Sequence, residues 1–356
     1  MNVMKLQKAY FGFYNQMKHR LIAYDRKRTA LRHLENPNIL TQEEKKAITA
    51  FWGRYKKIDL VHHAFLKEKT GKFYPEWIPQ DVHFNYIDEY FNDRDASQVL
   101  DNKSLYFRLF PDIPQVSSLV SRMGKLWYDE DHKIITLEKA QQIVGAESAL
   151  FVKAATQSYG GMGVQYIHGE DMVQQFMQTI KTMRGDIVVQ RPIRQHAVYA
   201  KLNESSVNTL RLFSVLSEEG VKIYSAFVRM GVNDAKVDNV KVGGIACGVD
   251  KDQRLVDTAY RLTGEAFTSH PNSGLVFEGY QIVGYDKAKA LVEKAHPMIP
   301  YFKMVAWDIV IDEQGEAVML EANFAKGGIA IHQLFGGPMF GEDTKKILDE
   351  VFGKNK

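Results

Sequence analysis

Apolar residues recur along this chain at two spacings, and the change from one to the other marks its organisation. Over residues 3–34, Leu6, Tyr10, Phe13, Met17, Leu21 and Tyr24 stand at roughly helical intervals with basic residues between them, which predicts an amphipathic helix. Asn36-Pro37-Asn38 ends it, and Thr41 with Glu44 has capping-box spacing for a second helix over about residues 42–57. From His62 to Asn92 the chain is aromatic-rich and punctuated by Pro75 and Pro79, which predicts irregular structure or short helices. Beyond Asp101 the pattern predicts a helix stopped by Pro111, extended segments at Ser117–Arg122 and Lys125–Tyr128, a turn at Asp129-Glu130-Asp131, and a capped helix over Thr136–Val144.

Alternation then takes over. A strand ends at Lys153, a loop of small and polar residues runs from Ala154 to Met162, and a second strand begins at Gly163. A helix over about 170–184 precedes strands at Asp186–Ile193, Thr209–Leu216, Lys222–Arg229 and near Val242–Val249. Phe267–Gly279 reads as loop, and a helix over about 285–295 ends at Pro297. Met304–Ile311 and Ala317–Glu321, joined by Asp312-Glu313-Gln314-Gly315, predict a hairpin. The tail places His332 in a glycine-rich loop, Gly327–Gly341, before a last helix near 342–352.

At 356 residues the chain is long enough for two or three domains, and 45% hydrophobic with 25% charged residues is ordinary for a globular protein. A net charge of +3 is too small to argue for nucleic acid. The charge is unevenly spread: residues 1–36 hold eight Lys/Arg against Asp25 and Glu35. The first helix therefore has two readings, a helix lying on anionic lipid or a packed helix with a solvated basic face. One cysteine, Cys247, rules out an internal disulfide and a cysteine-built zinc site. The N-terminus lacks the pattern of a secretory signal and no apolar run is long enough to span a bilayer, so cytoplasmic residence is the expectation.

The predicted hairpin brings the carboxylates of Asp308 and Glu321 and the amide of Asn323 toward one end, with Asp308 opposite residues near Met319 and Leu320. Two acids and an amide oxygen make a hard-oxygen set that suits Mg²⁺. The plain alternative leaves Asp308 facing solvent and Glu321 ending a strand. Lys153 precedes the glycines of its loop and no helix follows, which excludes a Walker A loop and a Rossmann turn. Such a loop either folds over a nucleotide or is a surface hairpin. Arg211 and Arg229 each interrupt an apolar strand, where a guanidinium either clamps an anion or faces solvent. His62 and His63 are adjacent, which makes a poor metal pair on a helix, and they are read as structural.

Taken together, these motifs resemble the ATP-grasp superfamily. The resemblance implies that Asp308, Glu321 and Asn323 hold Mg²⁺ on the phosphates of ATP, that Lys103 near the start of the nucleotide region touches phosphate, and that Lys153 with Ser158, Gly160 and Gly161 forms the strand lysine and mobile loop. It implies that the Gln190 strand links two lobes with its backbone on adenine, although Gln190 stands where many members have Glu. His196, just beyond, joins the nucleotide-binding set, while Arg211 and Arg229 are the candidates for the transferring phosphoryl group. Asn239 and Gly243-Gly244 resemble the loop that closes beside the phosphates. DNKSLYFRLFPD, SSVNTLRLFSVL and GGIACGVD point within the superfamily to the sugar-transfer-associated group.

The resemblance implies an α+β fold with a helical region over 1–100, a first lobe over 101–187 and a second over 188–356, the two lobes sandwiching ATP. It implies an ATP-dependent ligase joining small-molecule carboxylate and amine substrates, on a sugar acid or amino acid in surface polysaccharide biosynthesis. A small-molecule kinase is the alternative, with His196 or His332 as its base. The basic N-terminus suggests association with a membrane or a polysaccharide-assembly complex.

Overall fold

The computed structural model describes residues 3–156, 163–233, 235, 238, 243–325 and 327–353, and within the first helix the side chains of Phe13 and of residues 16 onward. Its contacts divide the chain into two compact units. One holds Met1–Asn92, Tyr260–Ala266 and Lys326–Lys356, and the other Asp93–Ala259 and Phe267–Ala325.

The first unit is helical. Helix α1 spans Val3–Arg32 and α2 spans Gln42–Trp52. The capping box forms as the spacing predicts: Glu44 N donates to Thr41 Oγ1 at 3.2 Å and Thr41 N to Glu44 Oε2 at 2.7 Å. Helix α2 stops short of residue 57 because Tyr55 N and Lys56 N both turn back onto the Trp52 carbonyl at 2.8 Å. The Trp52 indole is buried and donates to Pro75 O at 3.0 Å. Of the two readings of this stretch, irregular structure or short helices, the helix holds for α3, Val61–Thr70, which ends at Gly71 at φ 67°. His62 and His63 are buried in it, and burial pushes both imidazoles down to about 4. His332 lies on a helix, Ala330–Gly336, and is buried there. The apolar run around it overrides its flanking glycines, and the Gln333 amide fixes it through Ile78 N at 2.8 Å and Ile78 O at 2.9 Å. A further helix, Thr344–Val351, accepts Tyr55 Oη on Asp349 at 2.8 Å.

The second unit carries two antiparallel sheets. Strands β1 (Val120–Met123), β2 (Leu126–Asp129), β3 (Ile134–Ile135), β4 (Ala149–Ala154), β5 (Val164–His168) and β6 (Ile187–Gln190) form the first, in the order β3-β2-β1-β6-β4-β5. Helices α4 (Leu137–Gly145) and α5 (Met172–Thr182) pack on it around Val120, Trp127, Val144, Leu150, Val152, Phe176 and Val189. Gly163, at φ 81°, returns the loop after β4, and a Cβ there would lie 3.2 Å from Ala154 Cβ.

The second sheet comprises β7 (Thr209–Ser217), β8 (Gly220–Met230), β9 (Ile245–Val249), β10 (Leu255–Tyr260), β11 (Ala266–Phe267), β12 (Met304–Ile311) and β13 (Ala317–Asn323), in the order β11-β10-β9-β8-β7-β12-β13. The predicted hairpin is the β12–β13 pair. Helix α6, Tyr285–Ala295, covers one face over a core including Leu210, Leu212, Val228, Val292, Trp307 and Ile309. Alternation along each strand sends the intervening residues to the other face.

Candidate active site

That other face carries a row of charges. Asp308 on β12 stands opposite Glu321 on β13 and opposite Arg211 on β7. The register shifts between Asp308 and Ile309, which pairs with Met319. This bulge, one residue on β13, is why Asp308 meets Glu321 directly and not Met319 or Leu320. Arg229 on β8 stands opposite Thr209, two residues from Arg211, and Asn323 is two residues from Glu321. Even offsets keep all five side chains on one face.

Of the two readings for the arginines, both clamp an anion, a carboxylate of the chain itself. Arg211 grips Asp308 in a two-toothed fork, Nε to Oδ1 at 2.7 Å and Nη2 to Oδ2 at 2.6 Å. Arg229 reaches the same carboxylate with Nη1, at 3.1 and 3.0 Å, and gives Nη2 to Asp238 Oδ1 at 2.6 Å. Asp308, predicted to interrupt a strand, is buried. Burial works against its charge, but the Arg211 and Arg229 guanidiniums outweigh it and hold the carboxyl below its ordinary range. Burial likewise works against Arg229, and Asp238 and Asp308 outweigh it.

Asp238 is the residue that sequence reading missed. Its Oδ2 accepts from Thr209 N at 3.1 Å and from Thr209 Oγ1, so one buried acid bridges the start of β7 and Arg229. Nothing in its spacing announces this, although it directly precedes Asn239, which the sequence did single out. Asn239 itself lies outside the described residues, as do Ser158, Gly160 and Gly161.

Two lysines complete the cluster. Lys103 opens a single helical turn, Lys103–Leu105, and its backbone N donates to Ala155 O at 2.9 Å. Its ammonium lies 2.9 Å from Glu321 Oε1. Lys153, near the end of β4, is half-buried and donates to Gln190 Oε1 at 2.9 Å, while Gln190 Nε2 donates to Val116 O at 3.0 Å. The Gln190 side chain is therefore engaged in orienting Lys153. Burial, and then the nearby Lys103 ammonium, pull Lys153 down from 10.5 to about 8.

His196 caps the short helix Ala197–Ala200, its Nδ1 accepting from Val198 N at 3.2 Å, and its backbone N donates to Ile311 O at 2.8 Å. Ile311 is three residues along β12 from Asp308, a rise of about 10 Å. The structure thus joins Lys103, Arg211, Arg229, Asp308, Glu321 and Asn323 through direct contacts or one sheet face, sets the Lys153–Gln190 pair where Lys153 feels the charges of Lys103 and Glu321, and places His196 toward the hairpin turn. His332 belongs to the helical unit.

The donor set fits a hard cation. Asp308 and Glu321 present carboxylate oxygens, and Asn323 Nδ2 donates to Ala306 O at 3.2 Å, leaving the amide oxygen as its acceptor end. Both carboxylates carry cationic partners, so a metal there would exchange with guanidinium and ammonium contacts. Among the described residues no group of three or more His, Cys, Asp or Glu is placed to hold a metal. Nor is any described helix long and apolar enough to cross a membrane.

Solved structures with a similar course of chain are remote. D-alanyl-alanine synthetase A from Vibrio cholerae O1 biovar eltor is 14% identical, with 74% of this chain and 68% of that one covered, at a TM-score of 0.42. The biotin carboxylase domain of the Hydrogenobacter thermophilus 2-oxoglutarate carboxylase, solved with MgADP, ADP and bicarbonate, is 13% identical, with 73% and 46% covered, at 0.43. N5-carboxyaminoimidazole synthetase from Staphylococcus aureus, complexed with ADP, is 13% identical, with 66% and 48% covered, at 0.41. The chain spans about half the length of the latter two. No curated protein matches it by sequence. The family match covers residues 83–348 and so every charged residue of the row. On that match, the chain belongs to the sugar-transfer associated ATP-grasp family.

Proposed function

We propose that this protein is an ATP-dependent ligase that joins a carboxylate to an amine through an acyl phosphate. The observation that carries the reading is the charge cluster: Lys103, Lys153, Arg211 and Arg229 beside Asp238, Asp308 and Glu321, each acid already paired with a cation. A cluster with more cations than acids, and with a hard-oxygen set inside it, suits a triphosphate that arrives with its own metal. Phosphoryl transfer asks the protein mainly for positioning and charge neutralisation.

In this reading Lys103 and Lys153 neutralise nucleotide phosphates, and Asp238 holds Arg229 at the edge of the row. Asp308, Glu321 and Asn323 would hold Mg²⁺, which supplies charge neutralisation at the phosphate oxygens when bound. Arg211 and Arg229 stabilise charge on the transferring group. A substrate carboxylate oxygen attacks the γ-phosphorus and the bond to ADP breaks. The amine nitrogen then attacks the acyl carbon, the bond to phosphate breaks, and the amine gives up one proton. No side-chain nucleophile is needed. In this reading the substrate is a sugar acid or amino acid of surface polysaccharide assembly.

The test uses candidate uronic acids and amino acids, screened for acceptor-dependent ADP release. With the active carboxylate labelled by ¹⁸O, one label is expected in inorganic phosphate for each amide formed. ADP with a phosphorylated product and no free phosphate would replace the ligase reading with a kinase.

A further inference from the structure

Helix α1 is covered on one side only. Its inner side carries Ala30, which is buried, and the half-buried His19, whose Nε2 lies 3.1 Å from Glu89 Oε2. On the outer side Phe13, Met17, Leu21, Tyr24 and Leu31 are 44–65% exposed. At the α-helical angle per residue these five fall within an arc of about 80°. Isolated exposed apolar residues are ordinary, but five aligned on one face mark an interaction surface.

The same face is basic. Residues 13–32 hold six Lys/Arg and one acid, Asp25. Lys18 is paired with Glu89 at 2.9 Å and Lys27 with Asp59 at 2.5 Å. Arg20, Arg28 and Arg32 are exposed, and none is in an ion pair among the described residues. By the same helical angle Arg28 falls between Met17 and Leu21, inside the apolar arc, with Arg20 and Arg32 at its two edges.

We propose that this outer face of α1 docks the protein on an anionic lipid surface. Three occupants compete for such a face, and the placement of the arginines decides among them. A partner helix would have to bury Arg28 in its seam, where an unpaired guanidinium is costly. A second copy would set two strongly basic helices against each other. A bilayer interface accepts both components: Phe13, Met17, Leu21 and Leu31 enter the acyl boundary, Tyr24 sits at headgroup depth, and the long arginine side chains reach up to lipid phosphates. The helix then lies in the interface, consistent with the lack of a spanning helix among the described residues. This inference is independent of the ligase reading.

The experiment is co-sedimentation of the full chain with vesicles of phosphatidylcholine alone and of phosphatidylcholine mixed with phosphatidylglycerol. Binding is expected only with the anionic lipid, weakening as salt is raised. A variant combining Arg20→Ser, Arg28→Ser and Arg32→Ser should bind on the order of a hundredfold more weakly. A variant combining Phe13→Ser, Leu21→Ser and Tyr24→Ser should lose binding as well. Wild-type protein that ignores anionic vesicles, or binds both lipids alike, overturns the proposal without reference to any variant. So does a concentration-dependent dimer in sedimentation velocity that the Phe13/Leu21/Tyr24 variant abolishes, since the face would then belong to a second copy.

Discussion

Replacing Lys153 by Met separates the cost of the site from its use. The fall of the Lys153 ammonium from 10.5 to about 8 corresponds to about 3 kcal/mol of unfavourable environment at neutral pH, which its partial exposure reduces to about 1–3 kcal/mol. Methionine removes that cost but leaves the buried Gln190 Oε1 without its 2.9 Å donor, a loss of about 1–3 kcal/mol. The two nearly cancel. At pH 7 the Lys153→Met protein without nucleotide should therefore unfold in denaturant within about 1 kcal/mol of wild type. Because the folded pKa lies below the unfolded one, the folded state holds fewer protons between about pH 8 and 10.5. Wild-type stability should rise across that window, and the variant should lack this rise. Affinity for a non-hydrolysable ATP analogue should fall on the order of 10- to 100-fold, the loss of one charge-assisted contact. A variant that is several kcal/mol less stable at pH 7 yet binds the analogue like wild type would make Lys153 a structural residue and refute the placement of the nucleotide.

The two acids of the hairpin should respond differently to loss of charge. Asp308→Asn leaves two guanidiniums without their shared buried partner and should cost about 3–5 kcal/mol in denaturant unfolding. Glu321→Gln, whose partner Lys103 it meets at 2.9 Å on a more exposed flank, should stay within about 1 kcal/mol of wild type. Both should lose metal-dependent ADP release. Acid should also weaken the fold through buried histidines. Burial pushes His63 and His296 down to about 4, so below the ordinary 6.5 the unfolded chain takes up protons that the folded one refuses. Stability measured by denaturant titration should be lost as pH falls from about 6.5 toward 4, by on the order of 1–3 kcal/mol for each group.

Much of the fold was legible because it rests on local period. The strand Met304–Ile311 and the helix Tyr285–Ala295 fall where an apolar run bounded by turn residues and helical spacing place them, and Thr41 with Glu44 caps α2 as its spacing requires. Where flanking residues mislead, tertiary packing decided. His332 sits on a buried helix despite the glycines around it. The segment after Lys326 also joins the N-terminal helices in one compact unit, an association that no local pattern records.

The same division runs through the site. The sequence singled out Lys153, Arg211, Arg229, Asp308 and Glu321, because a charge in an apolar strand or beside a glycine loop is conspicuous in one dimension, whereas Lys103 stood out only through the family resemblance. Which charge the arginines and acids among them meet was settled by register across β13, β12, β7 and β8, with the bulge after Asp308 setting Glu321 opposite it. A one-residue slip on any of these strands would turn its side chain into the core. Asp238 stayed hidden for the same reason. A loop acid has no period, and its hold on Arg229 and Thr209 exists only once β7 and β8 are side by side.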